Sequence, residues 1–322
     1  MVKGGTAIAR DSTPGQSADS TETYLVKAIR LLAAVYFTFV SASISLAQDQ
    51  KAANPAAAPP NLVLLLHQEI QPGKTKERQK LESSMSRACD RLQTPNDWID
   101  LQSISGAQEA LFFDPFDSFE DLGKSKIEWR QLFAAHPELA QMQEEIEGLV
   151  VSDRTIIAAR RDDLGYRADG IDLSEARYMR VLDVRLFPGH ESDFVQAIKI
   201  LADAYAKIPV ETPWVVYQVD VGIPTPAFLV FMPMPELKPN DDLLSWRENL
   251  IQAEGEQAAD ALQKIAREAF ASTETNLYVL SPELSHVSQE FAAGDPDFWK
   301  HKTAPDPVPG DIKPKTQPSA SR

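Results

Sequence analysis

The sequence NLVLLLHQEIQPGK (residues 61–74) has the same pattern as RYMRVLDVRLFPGH (residues 177–190), and these two stretches decide the fold. In each, an apolar run ends at a Pro-Gly pair, and Pro72-Gly73 lies 116 residues before Pro188-Gly189. An apolar run closed by such a turn is typical of a buried strand. Two copies at a fixed spacing predict one structural unit that is repeated within the chain.

Other residues recur at the same spacing. The offset of 116 pairs Trp98 with Trp214, Gln102 with Gln218, Gly106 with Gly222 and Phe112 with Phe228. Further along the chain the offset is 120, where DDL (162–164) matches PEL (282–284). Because tryptophan and the Pro-Gly turn are uncommon, their recurrence in the same order supports a true repeat.

Each copy has the pattern β-α-β-β-α-β. In the first copy, helix 76–92 carries one apolar stripe, made of Leu81, Met85, Cys89 and Leu92. Two short strands, 98–103 and 110–114, flank Gly106 as in a hairpin. This is the ferredoxin-like plan, in which helices cover one face of an antiparallel sheet and leave the other face open. The sequence therefore predicts an α+β protein whose two tandem ferredoxin-like repeats form an intrachain pseudo-dimeric α/β barrel.

The passages DVRLFPGHESDF (183–194) and WVVYQV (214–219) carry a family resemblance. A strand, a Pro-Gly-Lys/His turn, an amphipathic helix and a strand with Trp and Tyr together resemble the dimeric α/β barrel superfamily, which includes antibiotic-biosynthesis-type monooxygenases and NIPSNAP-like proteins. The resemblance covers residues 61–285 and implies that a small ligand binds between the two sheets. The family usually builds its barrel from two chains. Because both halves lie in this chain, we expect a monomer with an internal pseudo-dimer.

The two ends of the chain differ from the predicted barrel. Lys27 and Arg30 precede an apolar run, 31–46, and Ser45 and Ala47 supply the small residues that signal peptidase requires. We therefore predict an exported protein with a signal peptide at 1–47, the alternative being an uncleaved N-terminal anchor. The remaining divisions are an Ala/Pro-rich linker at 48–60, repeats at 61–174 and 175–302, and a disordered Pro-rich tail at 303–322.

Charge and cysteine content exclude several classes of function. The 47 acidic and 32 basic side chains give a net charge of −15, which disfavours nucleic acid and, after signal cleavage, an anionic membrane surface as partners. The single cysteine, Cys89, excludes an intrachain disulfide and a multi-cysteine zinc site. Phosphate-binding glycine loops and the GxSxG nucleophile motif are absent from the sequence.

Strand alternation selects four ionisable side chains as candidate ligand-binding residues. If the leucines at 62, 64 and 66 face the helices, the opposite face of the two leading strands carries His67, Glu69, Asp183 and Arg185. These groups would enter the space between the sheets as a polar pocket. The alternative is that they form ion pairs near a barrel mouth or reach water. His67, Glu69 and Asp183 do not fix a metal geometry, so no metal site is predicted.

The repeated aromatic and amide side chains are further candidates. Trp98 and Trp214 could stack on a planar ligand, although aromatic residues on strands more often belong to the core. Gln102 and Gln218 share the face of the tryptophans, and a buried amide requires partners. They could bind a ligand or bond each other.

These patterns suggest two functions. The first is an exported small-ligand-binding protein or envelope interaction module, with no cofactor predicted; haem occurs in the resembling family but no residue pattern supports it here. The alternative is a cofactor-independent monooxygenase of the antibiotic-biosynthesis type. An enclosed pocket of about 300 Å³ or more with convergent polar groups would favour the monooxygenase, whereas a barrel filled by side chains would favour the first function.

Overall fold

The computed structural model describes residues 54–208 and 212–299. The predicted signal peptide, the first part of the predicted linker and the C-terminal tail lie outside the described residues. Within the described part, eight antiparallel strands form one closed barrel. The strands are β1 (Leu62–Ile70), β2 (Trp98–Ser103), β3 (Glu109–Phe116), β4 (Val150–Arg160), β5 (Tyr178–Leu186), β6 (Val215–Val221), β7 (Ala227–Met234) and β8 (Phe270–His286).

The strand order is the same in both halves. Around the barrel it is β1-β3-β2-β8-β5-β7-β6-β4. The first half therefore contributes β4-β1-β3-β2, and the second half contributes β8-β5-β7-β6. Two further pairings, β2 with β8 and β4 with β6, join the halves and close the barrel. The prediction of an α+β fold with a closed antiparallel barrel is confirmed.

All but the last two helices of the described chain pack on the outside of the barrel, and those two help to close one of its ends. The helices are α1 (Thr75–Leu92), α2 (Phe119–Ala135), α3 (Pro137–Glu147), α4 (Glu191–Tyr205), α5 (Pro239–Leu244), α6 (Trp246–Glu254), α7 (Glu256–Ala269), α8 (Gln289–Ala292) and α9 (Pro296–Trp299). The sequence pattern predicts helices at 76–92, 127–135, 138–149, 192–207 and 256–270, which correspond to α1, part of α2, α3, α4 and α7. It does not predict α5, α6, α8 or α9. No helix of the described ranges has both the length and the apolar character that a bilayer crossing requires.

The strand register refines the relation between the two copies. Leu65 pairs with Phe113 in the first half, and the residue 116 positions later, Val181, pairs with Phe231 in the second half. Strand β3 therefore corresponds to β7 at an offset of 118, because the β6–β7 hairpin extends two residues further. The predicted match of Phe112 with Phe228 is wrong, since Phe112 corresponds to Val230 in the register.

The inside of the barrel is packed with apolar side chains. Phe113 and Phe231 lie edge to face with their ring centroids 5.5 Å apart, and Tyr217 lies 5.7 Å from Phe231. As alternation predicted, Val63 and Leu65 belong to this interior core. The neighbouring residues Leu66 and Ile70 instead pack beneath helix α1.

One end of the barrel is closed by three short segments, 54–60, 168–176 and 287–299. Ala57 is buried in the interior core. The side-chain amide of Asn54 donates to the carbonyl of Glu290 at 2.8 Å, and the Trp299 indole N–H donates to the carbonyl of Ser174 at 2.7 Å. Residues 54–60, which the sequence assigned to a linker, thus pack as part of the fold because Ala57 completes an apolar cluster at this end.

Two tryptophans connect the halves of the barrel. The indole N–H of Trp98 donates to the carbonyl of Leu284 at 2.8 Å, and that of Trp214 donates to the carbonyl of Leu164 at 3.0 Å. The two acceptors are the last residues of the matched PEL and DDL segments. Each half therefore donates one indole hydrogen bond to the equivalent position in the other half.

We expect Trp214→Phe to lower the free energy of unfolding by about 2 kcal/mol, because it leaves the buried Leu164 carbonyl unpaired and opens a void beside Tyr166. Trp246→Phe is the control: Trp246 is 44% exposed, and its replacement should change stability by no more than about 0.5 kcal/mol. Urea denaturation of both variants measures the difference. Equal midpoints for Trp214→Phe and the wild type would contradict a stabilising role for this bond.

Candidate functional site

The four ionisable residues predicted to face the barrel interior lie at the mouth opposite the closed end. His67, Glu69 and Asp183 line a pocket of about 260 Å³. Arg185 lines an adjoining pocket of about 350 Å³, together with Asp183 and Arg154. The helices therefore cover the opposite face of the leading strands, as alternation required.

The partners of these mouth residues come mainly from outside the predicted set. His67 Nδ1 lies 3.5 Å from Glu109 Oε2, and the Tyr278 hydroxyl donates to the same carboxylate. Burial raises the pKa of Glu109, but hydrogen bonds from His67 and Tyr278 outweigh it and bring the pKa below its usual value. Burial, with the nearby carboxylate of Glu274, raises the pKa of Asp183. Among the described residues, no group of three or more His, Cys, Asp or Glu is arranged to hold a metal ion.

The repeated tryptophans and glutamines lie on the outer faces of the sheets, beneath the helices. Trp214 is packed between Tyr166, with ring centroids 4.7 Å apart, and Tyr205, at 5.2 Å. It is 2% exposed and belongs to the core, which is the alternative that its place on a strand favoured over stacking on a ligand. Trp98 is also buried, but it borders a cleft described below.

The two glutamines do not bond each other. Gln102 donates to the carboxylate of Asp100 and accepts a hydrogen bond from Gln79 at 3.4 Å. Gln218 accepts a hydrogen bond from Arg161 Nη1 at 2.7 Å. Equivalent positions on two different sheets have separate local partners, so the expectation of a mutual contact is wrong.

A cluster of buried polar side chains lies between the first sheet and helix α1. Its centre is Arg78, which is fully buried and donates from Nη2 to Gln68 Oε1 at 2.8 Å and to Glu82 Oε1 at 3.0 Å. The Arg78 guanidinium also lies 5.3 Å from the centre of the Phe112 ring. Asp100, which is fully buried, and Asp114, which is half-buried with its Oδ1 shielded from solvent, complete the set. We call Gln68, Arg78, Glu82, Asp100 and Asp114 the buried polar cluster.

The second half shows that the fold does not require this cluster. By the strand register and the helix offset, its five members correspond to residues of one apolar cluster beneath α4, namely Val184, Phe194, Ile198, Val216 and Met232. The same architecture is therefore packed with hydrocarbon in one half and with charged groups in the other. Since buried ion pairs are often no more stabilising than apolar side chains of similar size, stability alone does not account for the buried polar cluster.

Several atoms of the buried polar cluster have no hydrogen-bond partner among the described residues. They are Arg78 Nε, Arg78 Nη1, Asp100 Oδ2 and Asp114 Oδ1. Burial raises the pKa of Glu82 to about 7, and raises that of Asp100 to about 6, in both cases against the opposing charge of Arg78. Burial also raises the pKa of Asp114 to about 7, against Lys126. Unpaired buried polar atoms with shifted pKa values are typical of binding and catalytic sites.

The buried polar cluster borders a cleft of about 300 Å³ between the first sheet and helices α1, α2 and α3. Its apolar wall is largely aromatic: Trp98, Phe112, Phe116, Trp129 and Phe133. Gln68, Glu82 and Asp114 form its polar floor. We call this space the α1–α3 cleft. In the second half, Phe194 stacks on Phe228 with ring centroids 4.2 Å apart and fills space beneath the corresponding helix α4.

Among the comparisons with known proteins, only the comparison with solved structures gives matches. No protein-family model and no curated protein matches this sequence. A candidate monooxygenase from Lactobacillus acidophilus has 10% identity and a TM-score of 0.43, covering 70% of this chain and 96% of its own. An anthrone oxidase-like protein has 16% identity and a TM-score of 0.47, covering 70% and 93%. A mutant chlorite dismutase from Candidatus Nitrospira defluvii has 11% identity and a TM-score of 0.41, covering 71% and 94%. These likenesses assign neither a site nor an activity to this chain.

We expect Asp114→Met to stabilise the protein, and to do so more strongly as the pH rises. The ordinary pKa of 3.8 rises to about 7 in the fold, so the folded protein retains a proton that the unfolded chain releases between those values. Asp114 therefore costs increasing stability as the pH rises through that window. The gain from Asp114→Met should grow by roughly 1–3 kcal/mol between about pH 4.5 and pH 8 in urea denaturation.

The reverse substitution at the equivalent position, Met232→Asp, is the matched control. It should destabilise the protein with the opposite pH trend relative to wild type, because it creates a carboxyl group beneath α4. A gain from Asp114→Met that is constant with pH would contradict the retained proton.

Proposed function

We propose that the protein binds a small, mostly apolar molecule in the α1–α3 cleft. The observation that carries this proposal is Asp114 Oδ1, a shielded acceptor without a partner among the described residues, at the floor of an aromatic-lined space. Ligand sites are commonly concave, mostly apolar and furnished with a few polar groups that orient the ligand. The second half supports the same view, because beneath α4 the corresponding polar positions are apolar.

The barrel interior is less suitable for the ligand than the resemblance implied. Aromatic side chains pack its middle, and the Glu109 carboxylate at the mouth already has His67 and Tyr278 as partners. His67, Glu69, Asp183 and Arg185 therefore remain a second, more polar candidate pocket. The proposed ligand site therefore lies outside the barrel interior, on the outer face of the first sheet, where Trp98 also lies.

A second candidate function is cofactor-independent oxidation of an aromatic substrate in the same cleft. Its supporting observation is the carboxyl group of Asp114, whose pKa burial raises to about 7. A general base works best when its pKa lies near the working pH, so Asp114 would accept a proton from the bound substrate. The aromatic wall would exclude water from the reacting atoms.

A haem group does not fit the α1–α3 cleft. None of the described residues that line it is a histidine. His286 lies behind Trp98, with ring centroids 5.1 Å apart, but its Nδ1 lies 2.7 Å from Asp90 Oδ1 and its Nε2 lies 3.0 Å from the Thr94 carbonyl. Both nitrogens are therefore engaged. The carboxylates of haem would also face the carboxyl groups of the cleft.

Blocking the cleft tests the proposed function. Gln143 lines it from helix α3, whereas Gln141 is exposed on the same helix and does not. We expect the neutral fluorophore N-phenyl-1-naphthylamine to bind the full chain with an increase in fluorescence, and Gln143→Trp to weaken that binding at least about tenfold by filling the apolar cavity. Gln141→Trp introduces the same side chain outside the cleft and should leave the affinity unchanged.

Equal binding by both variants would place the fluorophore elsewhere and contradict the proposed site. Mass spectrometry of molecules that copurify with the native protein then identifies the ligand. Oxygen consumption upon addition of that ligand favours the oxidase candidate, and binding without oxygen consumption favours the binding protein.

We also propose that the chain is exported and that its two halves are tandem ferredoxin-like copies within the dimeric α/β barrel superfamily. The matched strand orders and the two indole bonds support the tandem relation. Lys27, Arg30 and the apolar run 31–46 support export.

Signal cleavage has a direct test. N-terminal sequencing of the exported protein should begin at Gln48. Ala47→Trp should abolish this cleavage, because signal peptidase requires a small residue there. An exported wild-type protein that retains residues 31–46 would support the uncleaved anchor instead.

A further inference from the structure

We infer that the ligand of the α1–α3 cleft is an organic cation, an ammonium group on an apolar body, held by the Asp114 carboxylate and the faces of Trp98 and Trp129. This inference rests on the proposed function and narrows it to a chemical class. Three observations support it: the excess of acidic groups in the cleft, the unpartnered acceptor Asp114 Oδ1 among the described residues, and the aromatic rings that line the cleft.

The charged groups of the cleft favour a cation. Among the described residues that line it, four carry carboxyl groups: Glu82, Asp97, Asp114 and Glu147. Lys126 is the one basic side chain among those same residues, and it is exposed. An anionic ligand would meet this excess of acidic groups in a partly desolvated space. The net charge of −15 on the chain also raises the local concentration of cations.

Asp114 differs from the other three acids because its Oδ1 accepts no hydrogen bond from the described residues. Glu82 accepts from Arg78, Asp97 accepts from the Ser288 backbone N–H at 3.1 Å, and Glu147 accepts from Gln143 at 2.9 Å. Asp114 Oδ1 is shielded from solvent and accepts no hydrogen bond from the described residues. A buried acceptor of this kind is costly unless a donor reaches it, and a charged donor contributes most.

The aromatic wall supplies the second half of the recognition. Trp98 and Trp129 have ring centroids 5.9 Å apart at 44°, and Phe133 lies 5.3 Å from Trp129 at 40°. All three rings line the cleft, and electron-rich aromatic faces attract ammonium groups. The same layer already holds one buried cation over a ring, since Arg78 lies over Phe112.

The test compares the binding of an organic cation with the binding of an uncharged molecule of the same shape. Benzyldimethylammonium, whose N–H can donate to Asp114, and isobutylbenzene differ only in a central nitrogen or carbon. Each is titrated into the full chain against bound N-phenyl-1-naphthylamine. We expect the cation to displace the fluorophore at a concentration at least about tenfold lower than the isostere, which corresponds to about 1.4 kcal/mol.

Two variants and a control test which residues cause the preference for the cation. Asp114→Asn should abolish the preference for the cation by lowering its affinity to that of isobutylbenzene. Lys126→Met removes an exposed positive charge and should strengthen cation binding by about twofold to fivefold. Asp203→Asn makes the same change as Asp114→Asn on the exposed face of α4, outside both candidate pockets, and should alter neither affinity. If Asp114→Asn fails to fold, the increase in cation affinity of Lys126→Met tests the proposal in its place.

The outcomes separate this inference from the proposed function. Equal displacement by both compounds, unchanged by either variant, overturns the cation class but retains a neutral ligand in the cleft. A fluorophore that fails to bind, or that binds equally to the Gln143→Trp variant, overturns both. A preference that survives Asp114→Asn overturns the role of Asp114.

Discussion

The closure of the barrel depends on two strand pairings between the halves, β2 with β8 and β4 with β6. Each four-stranded sheet would otherwise expose edge strands with unpaired backbone groups. Closure turns one face of every strand inward, where side chains from both halves meet. It leaves the other face to the helices, so a ligand can reach either the mouth of the barrel or the layer beneath the helices.

Much of the fold could be predicted from periodicity, whereas the α1–α3 cleft could not. Alternation in β1 assigned Val63 to the interior and Leu66 to the helix side, because a strand has only two faces. The same rule does not tell whether a polar residue on the helix side will be buried. Arg78 and Glu82 are four residues apart on a helix, a spacing typical of an exposed ion pair. Their burial depends on how α1 packs against the sheet.

One available sequence signal would have identified the buried polar cluster. Placing the copies in register sets Arg78 against Phe194, Glu82 against Ile198 and Asp100 against Val216. A charged residue opposite a hydrophobic one at three core positions indicates that these side chains of the first half have a role other than packing. The contrast holds at Asp114 too, since the predicted offset of 116 sets it against Val230 and the observed offset of 118 sets it against Met232.

The closed end of the barrel has a consequence for the connectivity of the chain. Asn54 and Glu290 are joined there by a hydrogen bond, and the crossover between the halves, 161–177, runs over the same end. The first and last described segments therefore meet beside the link that joins the halves. A circular permutant that joins the two ends and opens the crossover would exchange the order of the halves and keep all eight strand pairings.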